Sequence, residues 1–172
     1  QPYQVIVDYA HTVDSLTKLC SVYKPMTKGR LILVFGCTGG GRDKAKRPLM
    51  GEVADKYADI VILTNDDPYF EDEVEIIDQI SKGIKRKEGE NLWKIVSRME
   101  AVHLALMLAK TDDTVIIAGK GCEEIQVIRG DNIPWDDRKI VHEFLSRTVH
   151  VDLDTPDLLQ KEFLEGNPCL EG

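Results

Sequence analysis

Residues 31–50 read LILVFGCTGGGRDKAKRPLM, and this stretch decides the fold. The run Leu31–Phe35 predicts a buried strand, because five consecutive apolar residues leave no polar face for solvent. Pro48 and the apolar residues that follow it predict an amphipathic helix with proline in its first turn. The glycines at residues 36–41 therefore lie in the turn between a strand and a helix.

Four cations stand close to the start of that helix: Arg42, Lys44, Lys46 and Arg47. A helix N-terminus carries partial positive charge and disfavours further cations, so this arrangement needs a negative partner. A carboxylate or a phosphate is the natural partner for such a turn. The sequence therefore predicts an anion-binding site here, although a solvated basic turn is the alternative.

Short apolar runs recur along the chain between segments with helical spacing. The runs lie at residues 5–7, 60–63, 92–96 and 115–118, and the helical patterns at 16–23, 74–84, 99–109 and 136–145. Alternation of this kind is typical of the α/β class. We predict a three-layer, Rossmann-like sandwich, with a mostly parallel sheet of about six strands and helices on both faces.

Ligands of such sheets bind outside the carboxyl ends of the strands. Four loops follow predicted strands, at residues 8–12, 36–47, 64–72 and 119–125, and we expect them to form one site. The glycine-rich loop lacks the Gly-Lys-Ser/Thr ending of a P-loop, and neither it nor Gly119 begins a G-x-G-x-x-G pattern. A dinucleotide cradle is therefore not expected.

Composition limits the function classes. The 172 residues suit one domain, which we place at 1–150, followed by an acidic tail at 151–172. A net charge of -8 disfavours nucleic acid and anionic membranes, and no apolar run is long enough to span a bilayer. The four cysteines are scattered, without metal or disulfide spacing, so we predict a cytoplasmic protein with no metal site. The chain begins without methionine, and we expect it to come from a longer polypeptide.

Four motifs occur in order along the chain: VDYAHTVD at 7–14, RDKAKRPLMG at 42–51, DDP at 66–68 and GKGCE at 119–123. Together they resemble the signature loops of the Mur ligase family. The resemblance extends to about Leu145 and concerns only the C-terminal domain of that family. It implies that a nucleotide-sugar domain and a central ATPase domain, with a P-loop and magnesium ligands, precede Gln1.

The resemblance also implies an activity. Mur ligases use ATP to convert the carboxylate of a UDP-muramoyl peptide into an acyl phosphate, which the amine of an incoming amino acid attacks. Their C-terminal domain binds that amino acid and closes over ATP, which excludes water from the acyl phosphate. ATP and Mg, held mainly by the absent central domain, would be the cofactors, with Asp8 and His11 against the ribose and adenine. No catalytic residue is expected in this domain, and the isolated chain should be inactive.

By the same resemblance, five residues would bind the amino-acid substrate. Arg42 would hold its carboxylate, since a guanidinium pairs bidentately with a carboxylate. Asp67 and Tyr69 would stand where the DNPR motif of the family sets side-chain specificity. Gly119 and Glu123 would receive the distal ammonium group.

The chain departs from the family pattern at the specificity motif. Members that add diaminopimelate carry DNPR, whereas this chain reads Asp66-Asp67-Pro68-Tyr69. The arginine that would clamp a second carboxylate is absent, so we predict addition of a diamino acid such as lysine or ornithine to UDP-N-acetylmuramoyl-L-Ala-D-Glu. A neutral hydrogen-bonding role for Tyr69 stays open.

Two other functions are compatible with the sequence. One is a Mur-type ligase that acts on another acceptor, of the folylpolyglutamate or cyanophycin type. The other is a non-catalytic module that binds an anion or an amino acid. At the level of single residues, Glu71 and Asp72 could be turn formers near the next helix, and Cys37 and Cys122 could be packing residues.

Overall fold

The computed structural model describes residues 2–148. The chain divides into two compact units, Gln1–Val141 and His142–Gly172, and the contacts given below lie within the first. The predicted acidic tail at 151–172 lies outside the described residues, so the boundary at residue 150 stays a prediction. Among the helices that are described, none is long and apolar enough to cross a bilayer.

Strands and helices alternate up to residue 118, as the sequence predicts. The order is β1 (Gln4–Asp8), α1 (Val13–Met26), β2 (Leu31–Phe35), α2 (Lys46–Tyr57), β3 (Ile60–Leu63), α3 (Glu73–Ser81), β4 (Leu92–Lys94), α4 (Arg98–Leu108), β5 (Thr114–Ala118), β6 (Ile125–Ile128), β7 (Asp131–Pro134) and α5 (Asp137–Thr148). Pro48 lies in the first turn of α2 as expected.

The main sheet is parallel throughout, with the strand order β1-β5-β2-β3-β4. Within residues 2–148 it has five strands rather than about six. The last two strands, β6 and β7, pair antiparallel in a separate hairpin that the sequence analysis did not predict as part of the fold. Because all five strands of the main sheet run the same way, their carboxyl ends share one edge, where four of the loops meet.

Helices cover both faces of the sheet, as predicted for a three-layer α/β fold. Alternate residues of β2 (Leu31, Leu33 and Phe35) join a core with buried residues of α1, α2 and α3. Ile32 and Val34 point to the other face, where α4 contacts β2, β3 and β5. Every residue of β2 is buried, which explains why its sequence is a continuous apolar run.

Local signals define how the helices begin. Thr12 caps α1 in a capping box with Ser15, and Ser97 caps α4 by accepting a hydrogen bond from the backbone N–H of Glu100. The start of α2 is different, because Ala45 offers no side-chain cap and the first turn contains no acid. The cations of this turn must therefore find their negative partners elsewhere.

Candidate functional site

A cavity of about 160 Å³ lies at the carboxyl edge of the sheet, where the loops after β1, β2, β3 and β5 meet. Its lining residues are Tyr9, His11, Thr38, Arg42, Lys46, Asp66, Asp67, Tyr69, Gly119 and Glu123. Six of the seven site residues that the sequence predicts are among them. The structure thus brings Arg42 and Glu123 to a shared cavity.

Asp8 is the predicted site residue that does not line the cavity. Its Oδ1 accepts a hydrogen bond of 2.8 Å from the backbone N–H of Ala10, which shapes the loop after β1. His11 lies further along this loop, where its Nδ1 donates to the carbonyl of Tyr9 at 2.9 Å. Lys46 donates to the carbonyl of His11 at 2.8 Å and so links this loop to α2. A role of Asp8 and His11 toward ATP stays a prediction.

The predicted cluster of four cations finds part of its negative partner inside the chain. The Glu71 carboxylate accepts from Lys44 at 2.9 Å and from Arg47 at 3.1 Å. These bonds hold the pKa of Glu71 well below its usual range, at about 2. Arg42 remains exposed, and within residues 2–148 nothing pairs with its guanidinium. The cations available to a ligand are therefore fewer than the sequence indicates.

Three carboxylates that line the same cavity surround a fully buried ammonium group, which belongs to Lys120. Its Nζ lies 2.9 Å from both carboxylate oxygens of Asp67, 2.7 Å from Glu123 and 3.5 Å from Asp66. The spacing of the three carboxylates would also suit a metal ion, but the lysine supplies a cation there. The sequence analysis missed this role of Lys120. The available signal was a lysine between two glycines directly after a buried strand.

Burial and charge shift the pKa values of these groups. Burial raises the pKa of Asp66, although the charges of Arg98 and Lys120 work against this shift. Burial lowers the pKa of Lys120, but its hydrogen bond to Glu123 and the neighbouring carboxylates outweigh this effect, so the pKa stays above its ordinary value. The charge of Glu123 also raises the pKa of Tyr9. The acidic side of the cavity is thus a set of coupled charges.

The hairpin β6–β7 supports the loop after β3. Tyr69 has a positive φ of 54° and forms an isolated bridge with Ile128, a conformation that a non-glycine residue adopts only when its surroundings hold it there. The Asp67 Oδ1 accepts from the backbone N–H of Val127 at 2.8 Å. A Cβ on Gly40 would lie 2.8 Å from the Tyr69 ring, so the glycine-rich loop passes directly against that side chain. The hairpin therefore fixes both Asp67 and Tyr69 at the cavity.

Arg98 and Asp137, the first residues of α4 and α5, form a buried ion pair that the sequence analysis missed. The guanidinium lies 3.0 and 2.7 Å from the two carboxylate oxygens, and both side chains are fully buried. It also donates to the carbonyls of Asn65, at 3.0 Å, and Ala118, at 3.1 Å. These carbonyls follow or end β3 and β5, so Arg98 fixes the points where two site loops leave the sheet.

The sequence from β1 to the loop after β5 matches a known family. A family model described as "Mur ligase, glutamate ligase domain" matches residues 1–121. The chain therefore belongs to this family, as its motifs predict.

Two curated relatives carry the name of the same ligase. The chain is 49% identical over 146 residues to the UDP-N-acetylmuramoyl-L-alanyl-D-glutamate--2,6-diaminopimelate ligase of Caldanaerobacter subterraneus subsp. tengcongensis, covering 85% of the chain and 30% of the relative. It is 47% identical over 149 residues to the enzyme of the same name from Syntrophomonas wolfei subsp. wolfei, covering 87% of the chain and 30% of the relative. The chain thus spans about a third of the length of these relatives.

Solved structures agree with the fold. A UDP-N-acetylmuramoyl-L-alanyl-D-glutamate--2,6-diaminopimelate ligase superposes with a TM-score of 0.81 at 38% identity, over 88% of this chain and 31% of that one. E. coli FolC in complex with ADP superposes with a TM-score of 0.53 at 18% identity, over 84% of this chain and 29% of that one. At this lower identity the likeness concerns the fold alone.

Proposed function

We propose that this chain is the amino-acid-binding part of an ATP-dependent ligase of peptidoglycan synthesis. The ligase would add a diamino acid to UDP-N-acetylmuramoyl-L-Ala-D-Glu through an acyl phosphate, in the cytoplasm. One observation carries the proposal: a single cavity is lined both by the unpaired guanidinium of Arg42 and by the carboxylates around Lys120. A diamino acid has the matching charges, with a carboxylate at one end and an ammonium at the other.

The residues of the cavity suit these roles. Arg42 would bind the carboxylate of the amino acid in a bidentate manner. Glu123 and the backbone of Gly119 would receive the distal ammonium, and Asp67 with Tyr69 would set side-chain selectivity. ATP and Mg would be held mainly by domains outside this chain, with Asp8 and His11 near the nucleoside. The chain would close over that nucleotide during catalysis.

We infer that lysine or ornithine is the preferred substrate. A second carboxylate on the substrate, as in diaminopimelate, would need a cation near Tyr69. The described lining of the cavity offers two lysine or arginine side chains, Arg42 and Lys46. Lys46 already donates to the carbonyl of His11. Diaminopimelate is the second candidate, since the relatives named above carry it in their names.

Steady-state kinetics of the full-length ligase that contains this chain test the proposal. Lysine, ornithine and diaminopimelate are each offered with UDP-N-acetylmuramoyl-L-Ala-D-Glu and ATP, and we expect diaminopimelate to react least well. Arg42→Ala should raise the KM for the amino acid by about a hundredfold, while the KM for ATP changes little, because a charge-assisted bidentate pair is lost. Lys56→Ala, at an exposed position of α2, is the control.

The outcomes separate the hypotheses. An unchanged KM for Arg42→Ala would refute the proposed carboxylate contact. A preference for diaminopimelate would favour the second candidate and would contradict the interpretation of Tyr69. A reading frame without an upstream Gly-Lys-Ser/Thr P-loop would favour a non-catalytic binding module.

A further inference from the structure

Glu71 lies outside the cavity lining, yet its carboxylate joins the loop after β3 to the glycine-rich loop. Oε2 accepts from the Lys44 side chain at 2.9 Å and from Arg47 at 3.1 Å, and Oε1 accepts from the backbone N–H of Gly41 at 3.3 Å. These three donors flank Arg42 in the sequence, one directly before it and two after it. One carboxylate therefore holds the segment that carries Arg42 on both sides.

The buried guanidinium of Arg47 requires this carboxylate. Arg47 is fully buried, and its other polar contacts are neutral: Gln79 at 2.7 Å and the carbonyl of Thr38 at 3.2 Å. In the part of the chain that the structure describes, Glu71 is the acid that pairs with it. A buried charge without a partner is strongly unfavourable, so the contact between Glu71 and Arg47 is strongly held.

Three glycines, at residues 39–41, directly precede Arg42. Gly40 and Gly41 have positive φ values of 67° and 78°, and glycine moves more freely in backbone space than any other residue. The Arg42 side chain is exposed and unpaired within residues 2–148, so its own contacts do not fix its direction. Its aim toward the cavity therefore depends on backbone restraints from other loops. These are the hydrogen bond of the Gly39 N–H to the Asp67 carbonyl at 2.7 Å, the bond of Lys46 to the His11 carbonyl, and the three bonds of Glu71.

We propose that Glu71 is a positioning residue, which holds residues 41–47 so that the Arg42 guanidinium faces the cavity and captures the carboxylate of the ligand. This inference rests on the proposed function and adds a residue to it. Glu71 is two residues from Tyr69, so the loop that would select the substrate side chain also sets the grip on its carboxylate. A change in one part of this loop would then alter the contacts with both ends of the substrate.

The test uses Glu71→Gln in the full-length ligase. Glutamine keeps an acceptor for Arg47 but removes the charge that binds three donors. We expect the KM for the amino acid to rise about tenfold, with kcat and the KM for ATP changed less than about twofold, because the reacting groups are untouched but the binding group is misaligned. Glu73→Gln makes the same chemical change two residues away, at the start of α3, and should leave the KM unchanged.

A double variant separates positioning from general loss of structure. In the Arg42→Ala background, Glu71→Gln should change the KM by less than about twofold, since the group that Glu71 positions is gone. Lys44→Gln removes one of the three donors without leaving a buried charge, and it should raise the KM by about two- to fourfold. This variant keeps the test decisive if Glu71→Gln folds poorly.

Each result has a clear meaning. If Arg42→Ala raises the KM but Glu71→Gln and Lys44→Gln do not, the positioning role is refuted and the proposed function stands. If the effects of Glu71→Gln and Arg42→Ala multiply in full, Glu71 acts independently of Arg42 and the inference is wrong. If Arg42→Ala itself leaves the KM unchanged, the proposed carboxylate contact is refuted, and the positioning role falls with it.

Discussion

The ammonium of Lys120 lies 2.9 Å from each carboxylate oxygen of Asp67. The two residues are 53 positions apart in the sequence, and Lys120 is fully buried. An ammonium out of water is tolerated only when its donors are met by charged acceptors, which Asp67 and Glu123 provide. The stability of the domain and the charge of the cavity therefore depend on the same lysine.

Replacing Lys120 by methionine should destabilise the chain by about 3–5 kcal/mol, because the change leaves carboxylates close together without their buried cation. Urea unfolding followed by circular dichroism measures this loss. Lys18→Met is the matched control. The ion pair of Lys18 with Asp14 is as short as that of Lys120 with Glu123, at 2.7 Å, but its side chains are three-quarters exposed. This variant should cost less than about 1 kcal/mol. Equal effects of the two variants would contradict the role of burial.

Arg98 and Asp137 should show strong energetic coupling. Arg98→Met leaves the buried carboxylate of Asp137 unpaired and also removes a donor from two carbonyls, so we expect a loss of about 3–5 kcal/mol. The double variant with Asp137→Leu should be more stable than the sum of the single changes predicts, by at least about 2 kcal/mol. Chemical unfolding of the four proteins measures the coupling, and additive losses would refute it.

Stability should fall in acid, in part through Glu71. The pKa of this group is lowered from 4.5 to about 2 in the folded chain. Its contribution is therefore complete above about pH 4.5 and is lost as the pH falls toward 2, where the folded carboxylate is protonated. The difference in unfolding free energy between the parent chain and Glu71→Gln should be constant near neutral pH and should shrink over this range. A difference in unfolding free energy that grows as the pH falls would contradict the lowered pKa of Glu71.

Gly36→Ala should disrupt the junction between two site loops. A Cβ at this position would lie 2.2 Å from the carbonyl oxygen of Thr64, a backbone atom that cannot move aside alone. We expect a loss of about 3 kcal/mol or more. Gly89→Ala has open space around it but a positive φ of 84°, so it should cost only about 1 kcal/mol. Comparing the melting curves of the two variants separates steric clash from backbone strain.

The sequence predicts the main sheet because its central strands are buried on both faces. This makes β2 and β3 continuous apolar runs, and β5 is apolar after Thr114. The hairpin gives no such signal, since all four residues of β7 are exposed and the strand ends in proline. Its importance comes from the bridge to Tyr69, a contact between distant parts of the chain that periodicity does not reveal.

The same limit applies to the candidate site. Loop positions at the carboxyl edge follow from the topology, so most of the cavity lining could be predicted. The long-range ion pairs could not be predicted, because Lys120 meets Asp67 across 53 positions of sequence and Arg98 meets Asp137 across 39. Glu71 was interpreted as a possible turn former, whereas its carboxylate binds cations from another loop. Charges are visible in a sequence, but their partners are not.

The buried lysine gives the cavity its own counter-ion. The carboxylates of Asp66, Asp67 and Glu123 therefore stay close together without a ligand or a solvent cation. A molecule that binds in this cavity would therefore spend little free energy on gathering mutually repelling groups.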